Sequence, residues 1–182
     1  MPENWAWERL GKIGKYIQRG RSPRYVDYSD YTAISQKCIQ WEGFKPEEGR
    51  PYSADTFAKL PVERLLKAGD LLWNSTGTGT VGRAIVVPDH AGLSKMAPDS
   101  HVTLIRTWAK VSPRYLWAFI AAPEIQNNID ELTSGTTKQK ELNLSTIVSL
   151  PIPLPPVAEQ ERIVAKLDAM LPLVRELQET LT

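Results

Sequence analysis

Cysteine is almost missing from this chain. Cys38 stands alone, so no internal disulfide can form, and the setting it points to is a reducing one, read as cytoplasm. Histidine is as scarce: His90 and His101 lie apart from each other and from Cys38, too few and too scattered for a metal site. No apolar run approaches the roughly 20 residues that a membrane-spanning helix needs, and the opening MPENWAWERL lacks the basic-then-apolar form of a signal peptide. No internal repeat or low-complexity tract is present. Acidic residues are missing from one stretch in particular. Arg9, Lys12, Lys15, Arg19, Arg21 and Arg24 follow one another with no Asp or Glu between them.

What is present fits a folded domain. A chain of 182 residues with 42% hydrophobic content supports one domain of about 150 residues plus an appendage. The net charge of +1 speaks against a polyanion partner, but the distribution does not. Residues 1–155 hold 19 basic and 16 acidic residues, and 156–182 hold 3 and 5. A local basic segment can meet phosphates while the remainder keeps the molecule soluble. A solvated surface face is the plainer explanation of the same run.

Taken in order, Trp5, Trp7 and Leu10 suit an opening strand or a short packed segment, and Arg19-Gly20-Arg21-Ser22-Pro23 reads as a loop. Ala33 to Ile39 is a plausible strand, Trp41 to Ser53 an irregular loop, and residues 54–67 at best a short helix cut by Pro61. Asp70 to Val87 carries the clearest β signal. Leu71-Leu72-Trp73 leads in, a Ser/Thr/Gly-rich loop follows, and Ala84-Ile85-Val86-Val87 leads out. Another strand is expected over Val102–Arg106. Ser112-Pro113 then supplies an N-cap and a proline at the first helical position, with Tyr115, Leu116, Phe119 and Ile120 on one face. Pro123 interrupts, and Ile125, Ile129 and Leu132 continue to Gly135. Leu142 to Leu150 is short helix or strand. Strands first and helices later predict α+β rather than a doubly wound sheet.

Gly77-Thr78-Gly79-Thr80-Val81-Gly82 is formally a GxGxxG, but a dinucleotide site requires a helix after it, and Arg83-Ala84-Ile85-Val86-Val87 is β. The glycines are expected in a hairpin loop. Its polar residues, Asn74, Ser75, Thr76, Thr78, Thr80 and Arg83, suit phosphates and base edges. A plain polar turn would use the same residues.

The closing stretch, Thr133 to Met170, joins a polar glycine turn, a proline-stiffened strut and a helix. Ile152-Pro153-Leu154-Pro155-Pro156 is extended and semi-rigid; Pro156 suits the first turn of the following helix and Glu159 its acid-favouring start. Ile163, Leu167, Met170, Val174, Leu177 and Leu181 then recur in alternating steps of four and three, an a/d seam for a partner helix. As helix, residues 156–182 would run about 40 Å. Packing back on the parent domain is the alternative. Pro172 predicts a kink or a break in this helix.

Two motifs in order, Gly69-Asp70-Leu71-Leu72-Trp73-Asn74-Ser75-Thr76-Gly77-Thr78-Gly79 and the PLPP-AEQ-RIV-like segment behind a GTT turn, resemble the specificity subunits of type I restriction–modification systems. The resemblance covers most of the chain. It implies a target recognition domain over residues 1–155, with a twisted, mainly antiparallel sheet and flanking helices, followed by an amphipathic spacer or dimerisation helix over 156–182 that projects from it. It implies double-stranded DNA as partner, read in the major groove as one half of a bipartite sequence. Lys15, Gln18, Arg19, Arg21, Ser22 and Arg24 are candidate contacts, joined by the glycine-loop residues above and by Thr136, Thr137, Lys138 and Gln139. The last four serve equally well as a turn that shapes the exit to the helix. Further implied partners are modification subunits, a motor–nuclease subunit, and a second recognition half or a homodimer through the helix. S-adenosylmethionine, ATP and Mg²⁺ are expected only on those partners, and no cofactor on this chain.

Catalysis finds little support. Pro155-Pro156, the one Pro-Pro, is preceded by Leu154 and followed by Val157, which is not the (Asp/Asn/Ser)-Pro-Pro-aromatic motif of base methylation. No lysine has Asp or Glu two residues before it, as a Mg²⁺ nuclease element requires. Both histidines read as structural or surface residues. A scaffold acting through its helix is the alternative function, and a hydrolase assembled from Ser/His or Cys/His in space a distant third.

Overall fold

The structure, a computed structural model, describes residues 2–136 and 139–180. The chain opens with β1 (Ala6–Arg9), the short helix α1 (Leu10–Ile13) and β2 (Gly14–Arg19). Then come β3 (Thr32–Ile34), β4 (Ile39–Gln40), β5 (Gly43–Phe44), β6 (Arg50–Pro51) and α2 (Ala54–Phe57). The predicted hairpin follows as β7 (Leu71–Asn74) and β8 (Ala84–Val86), and after it β9 (Met96–Pro98) and β10 (Val102–Thr107). Three helices, α3 (Pro113–Ala121), α4 (Pro123–Gln126) and α5 (Ile129–Leu132), precede the hairpin of β11 (Ser134–Thr136) and β12 (Gln139–Glu141). The chain closes with α6 (Leu144–Ser149), β13 (Pro151–Leu154) and α7 (Val157–Thr180). The class is α+β, as expected.

The centre is an antiparallel sheet in the order β2-β10-β7-β8. Both faces of it are covered, and β7 shows why: Leu71, Leu72, Trp73 and Asn74 are all buried. Alternate side chains of a strand leave on opposite faces. Leu71, Trp73 and Ile105 therefore enter one core with Leu10, Leu116, Ile120 and Ile147 from the helices. Leu72, Val102 and Leu104 enter a second with Ile34, Cys38, Ile39 and Leu66. Ser112 caps α3 by accepting from the Tyr115 N–H at 3.2 Å, with Pro113 at the first helical position. Trp117 is buried there too, donating from Nε1 to the Ala84 carbonyl at 2.9 Å. The helical face expected from the sequence did not include it.

Two expectations change at the ends of the chain. The proline segment is extended, but as a strand: β13 pairs antiparallel with β1, matching Ala6 to Leu154 and Arg9 to Pro151. Alternate N–H groups of a strand face its partner, so prolines at every second position, 151 and 153, leave that ladder intact. α7 begins at Val157, with the Pro156 carbonyl accepting from the N–H groups of Glu159 and Gln160, so Pro156 lies before the helix and not in its first turn. The helix runs on through Pro172. Its apolar seam divides. Ile163 and Leu167 are half-buried and Leu171 packs on the helical core, whereas Met170, Leu173, Val174 and Leu177 are exposed. Leu181 lies outside the described residues. Ala33 to Ile39 is not one strand: β3 ends at Ile34, the 3-10 turn Gln36–Cys38 follows, and Ile39 begins β4.

Candidate nucleic-acid interface

The site is built at one edge of the central sheet. β2 ends there at Arg19, β7 at Asn74, and β10 starts there at Val102, with Thr103 opposite Arg19 and Val102 opposite Asn74. Three connections therefore leave from one place: the loop from Gly20 to Tyr31, the glycine loop after Asn74, and the turn before Val102. The hairpin of β11 and β12 joins them through a Thr76–Glu141 bridge and a Leu142 N–H donating to the Ser75 carbonyl at 2.8 Å. The basic segment, the glycine loop and the GTT hairpin are far apart in sequence. In the fold they touch.

Arg19 makes the junction. One guanidinium nitrogen pairs with the Glu141 carboxylate and Nη2 donates to the Leu142 carbonyl at 2.8 Å. Its own carbonyl accepts from Arg64 Nη1 at 2.8 Å. Because Arg19 belongs to β2, the exposed loop starts at Gly20, one residue later than the sequence suggested. Beyond it Arg21, Ser22 and Arg24 are exposed, as is Gln18 on the strand. Neither Arg21 nor Arg24 forms an ion pair among the described residues. Lys15 is a correction. It lies at the opposite end of β2, with Nζ 5.9 Å from the centre of the Trp108 ring. At about 3.3 Å per residue it is some 13 Å from Arg19, off this edge.

The glycine loop is a hairpin connection, with no helix after it. Gly77 and Gly82 have φ of 105° and 92°, which disfavours any side chain, and a Cβ on Gly82 would also lie 2.8 Å from Ile129 Cγ1. Asn74 and Ser75 are the second correction. Both are 0% exposed. Asn74 Nδ2 donates to the Gln36 carbonyl at 3.2 Å, and the Ser75 hydroxyl bonds that of Thr103 at 2.5 Å. Neither presents an atom to a ligand; they hold the base of the loop. Thr76 is half-buried, and Thr80 Oγ1 donates to Gln36 Oε1 at 3.0 Å. Arg83 donates to Gln40 Oε1 at 2.6 Å and to the Gly79 carbonyl at 3.0 Å, while Thr78 is exposed at the tip. Gln36 and Gln40 thus support the loop, two residues that carried no signal in the sequence. The backbones of Thr136 and Gln139 face each other at the end of the hairpin, and Thr137 and Lys138 lie outside the described residues.

A cleft of about 350 Å³ separates the glycine loop from α5 and β12, lined by Trp41, Thr78, Arg83, Gln126 and Lys140 among others. Burial, then the nearby Asp99 carboxylate, raises the Tyr25 hydroxyl above its ordinary pKa, and burial pushes the Cys38 thiol up to about 11. No group of His, Cys, Asp and Glu among the described residues is placed to hold a metal ion. No helix among them is long and apolar enough to cross a membrane.

Polar loops gathered at one edge of a sheet, two exposed arginines on them and a long helix leaving the domain define a ligand-reading module. Residues 2–182 match the family described as the type I restriction modification DNA specificity domain. The chain belongs to that family. Among solved structures it is similar to the HsdS subunit from Thermoanaerobacter tengcongensis, at a TM-score of 0.74 and 22% identity over 100% of this chain. It is also similar to a chain of a type I R-M system solved to explain complex assembly and conformational transition, at 0.70 and 20% over 99%. A third likeness is to the type I restriction-modification system S subunit from M. genitalium, at 0.61 and 13% over 97%. Likenesses at these identities are likenesses of fold. The chain spans 41% of the length of each of these three. No curated protein matches it.

Proposed function

We propose that this chain reads one short half of a bipartite DNA sequence for a type I restriction–modification complex. The observation that carries the reading is the convergence of the Gly20–Arg24 loop, the glycine loop and the β11–β12 hairpin on one sheet edge. Arg21 and Arg24 supply charge toward phosphates, while Gln18, Ser22 and Thr78 offer hydrogen-bonding groups to base edges. Modification subunits bring S-adenosylmethionine and methylate the base, a motor–nuclease subunit brings ATP and Mg²⁺, and this chain does no chemistry of its own. Its exposed helix residues Met170, Val174 and Leu177 support a pairing helix, either in a second recognition half or in a second copy, and the cytoplasm is where such a complex would act.

Selection of bound sequences from a randomised duplex library tests this directly, with and without a modification subunit. A short enriched motif is expected. Alanine at Arg21 or Arg24 should reduce the slope of log affinity against log salt by about one each, with little change in the motif. If no motif is enriched and neither substitution alters DNA binding, the helix is the business end and the molecule is a scaffold.

A further inference from the structure

His101, which the sequence marks only as a structural or surface residue, sits between the Gly20 loop and the glycine loop, held from behind by a buried carboxylate. Asp99, Ser100 and His101 turn the chain from β9 into β10. Asp99 is 1% exposed. Its Oδ1 accepts the His101 backbone N–H at 2.8 Å, which closes the turn. Its Oδ2 lies 3.2 Å from His101 Nδ1 and accepts from the Tyr25 hydroxyl at 3.4 Å. An ionised carboxylate only accepts, so this contact places the ring proton on Nδ1. The side chain is 50% exposed, and among the described residues its other ring nitrogen, Nε2, forms no hydrogen bond. The turn itself needs only the backbone N–H of position 101. The imidazole is surplus to it.

The surroundings say where that imidazole stands. The His101 carbonyl accepts from the Ser75 N–H at 2.8 Å, at the base of the glycine loop. On the other side the Ser22 hydroxyl donates to Ser100 Oγ at 3.2 Å, and the Gly20 N–H donates to the Val102 carbonyl at 2.9 Å. The Gly20 loop is pressed so closely on the turn that a Cβ on Gly20 would lie 2.1 Å from the Asp99 carbonyl oxygen. His101 therefore occupies the gap between the two loops that carry most of the candidate contacts.

We propose that His101 contacts the duplex through Nε2 and that Asp99 is the residue that positions it. This rests on the DNA reading above. A neutral ring accepts at Nε2 from a base amino group, and a protonated ring donates from the same atom to a phosphate or a purine acceptor. Asp99 fixes which atom faces the DNA in either case.

The test uses the full-length protein, its library-selected duplex and a scrambled duplex of equal length. His101→Ala should weaken binding to the selected duplex about tenfold, the loss of one hydrogen bond to a charged or polar partner. Its thermal midpoint should not move. His101→Gln, which keeps a donor and an acceptor, should recover part of the loss. Asp99→Asn should weaken binding when His101 is present and add nothing to His101→Ala in the double variant. Equal losses on both duplexes assign the contact to phosphate, and a loss confined to the selected duplex assigns it to a base edge. Unchanged affinity in His101→Ala overturns the contact, and a fully additive Asp99→Asn overturns its positioning role. A wild-type protein that selects no duplex overturns the DNA reading, and this inference with it.

Discussion

Asn74 and Ser75 sit inside a motif whose composition suits DNA, yet both are fully buried. Composition cannot separate a residue that offers its polar group to a ligand from one that offers it to its neighbours. The two make opposite predictions. Asn74→Ala leaves the half-buried Gln36 carbonyl without the amide donor, and Ser75→Ala strands the buried Thr103 hydroxyl. A buried polar group left unpaired costs about 1–3 kcal/mol, so each change should lower the unfolding free energy read from urea denaturation by up to that amount. Arg21→Ala should leave the unfolding free energy within about 0.5 kcal/mol of wild type and act on DNA binding alone. Equal stability of Asn74→Ala and wild type would return Asn74 to the contacts. Cys38 gives a second prediction at this scale. Burial holds its thiol neutral, with the folded pKa raised from 9.0 to about 11. Being raised, it adds stability that is complete below about pH 9 and is lost as the pH climbs through 11. Tyr115, raised to about 12 by burial, adds a similar loss above pH 10. At pH 8 the folded protein should resist alkylation at Cys38 and the urea-unfolded protein should not; equal rates in both would contradict the burial.

Helix and hairpin signals show where the sequence was legible. Ser112-Pro113 announced α3, and Leu71–Trp73 with Ala84–Val86 announced the hairpin, because caps, proline and β-branched runs act within a few residues. Pairing between Ala6–Arg9 and Pro151–Leu154 left no such trace. It spans nearly the whole chain, and the prolines that suit an edge strand equally suit a free strut. The seam in α7 was legible as a seam, but not in what it faces. Gln160 decides that. It is 1% exposed, its Nε2 donates to the carbonyls of Lys110 and Pro155 at 3.1 and 3.0 Å, and its Oε1 accepts from the Ser112 N–H at 2.8 Å. One amide thus ties the start of α7 to the start of α3, with Arg114 and Asp168 bridging further along. Gln160→Leu keeps the volume and leaves all three groups unpaired, at a total cost of at least about 2 kcal/mol. Hydrogen exchange over residues 157–171 should accelerate before that of the central sheet. Unchanged exchange there would mean that apolar packing at Leu171 holds the helix without Gln160.

At the scale of the molecule the proposed work divides between the sheet edge and the last helix. On the reading proposed above the sheet edge meets the DNA, and α7 has one anchored half and one uncovered half. From the anchored half Leu171 reaches the core, whereas Met170, Leu173, Val174 and Leu177 are each about half exposed or more. At about 1.5 Å per residue the 24 residues of α7 reach some 36 Å. Burying those exposed side chains against a partner helix would contribute roughly 1.5–3 kcal/mol for each one fully covered. Serine at Leu173, Val174 and Leu177 together should therefore abolish helix pairing while leaving the thermal midpoint of the recognition domain nearly unmoved. The two functions then separate in one experiment. Where the wild-type assembly selects a motif in two parts about a fixed gap, the serine variant should select a single part with the same bases, and sediment as the smaller species. If the variant still selects both parts at the same spacing, something other than this helix face sets the distance between half-sites. The exposed leucines would then need a different partner.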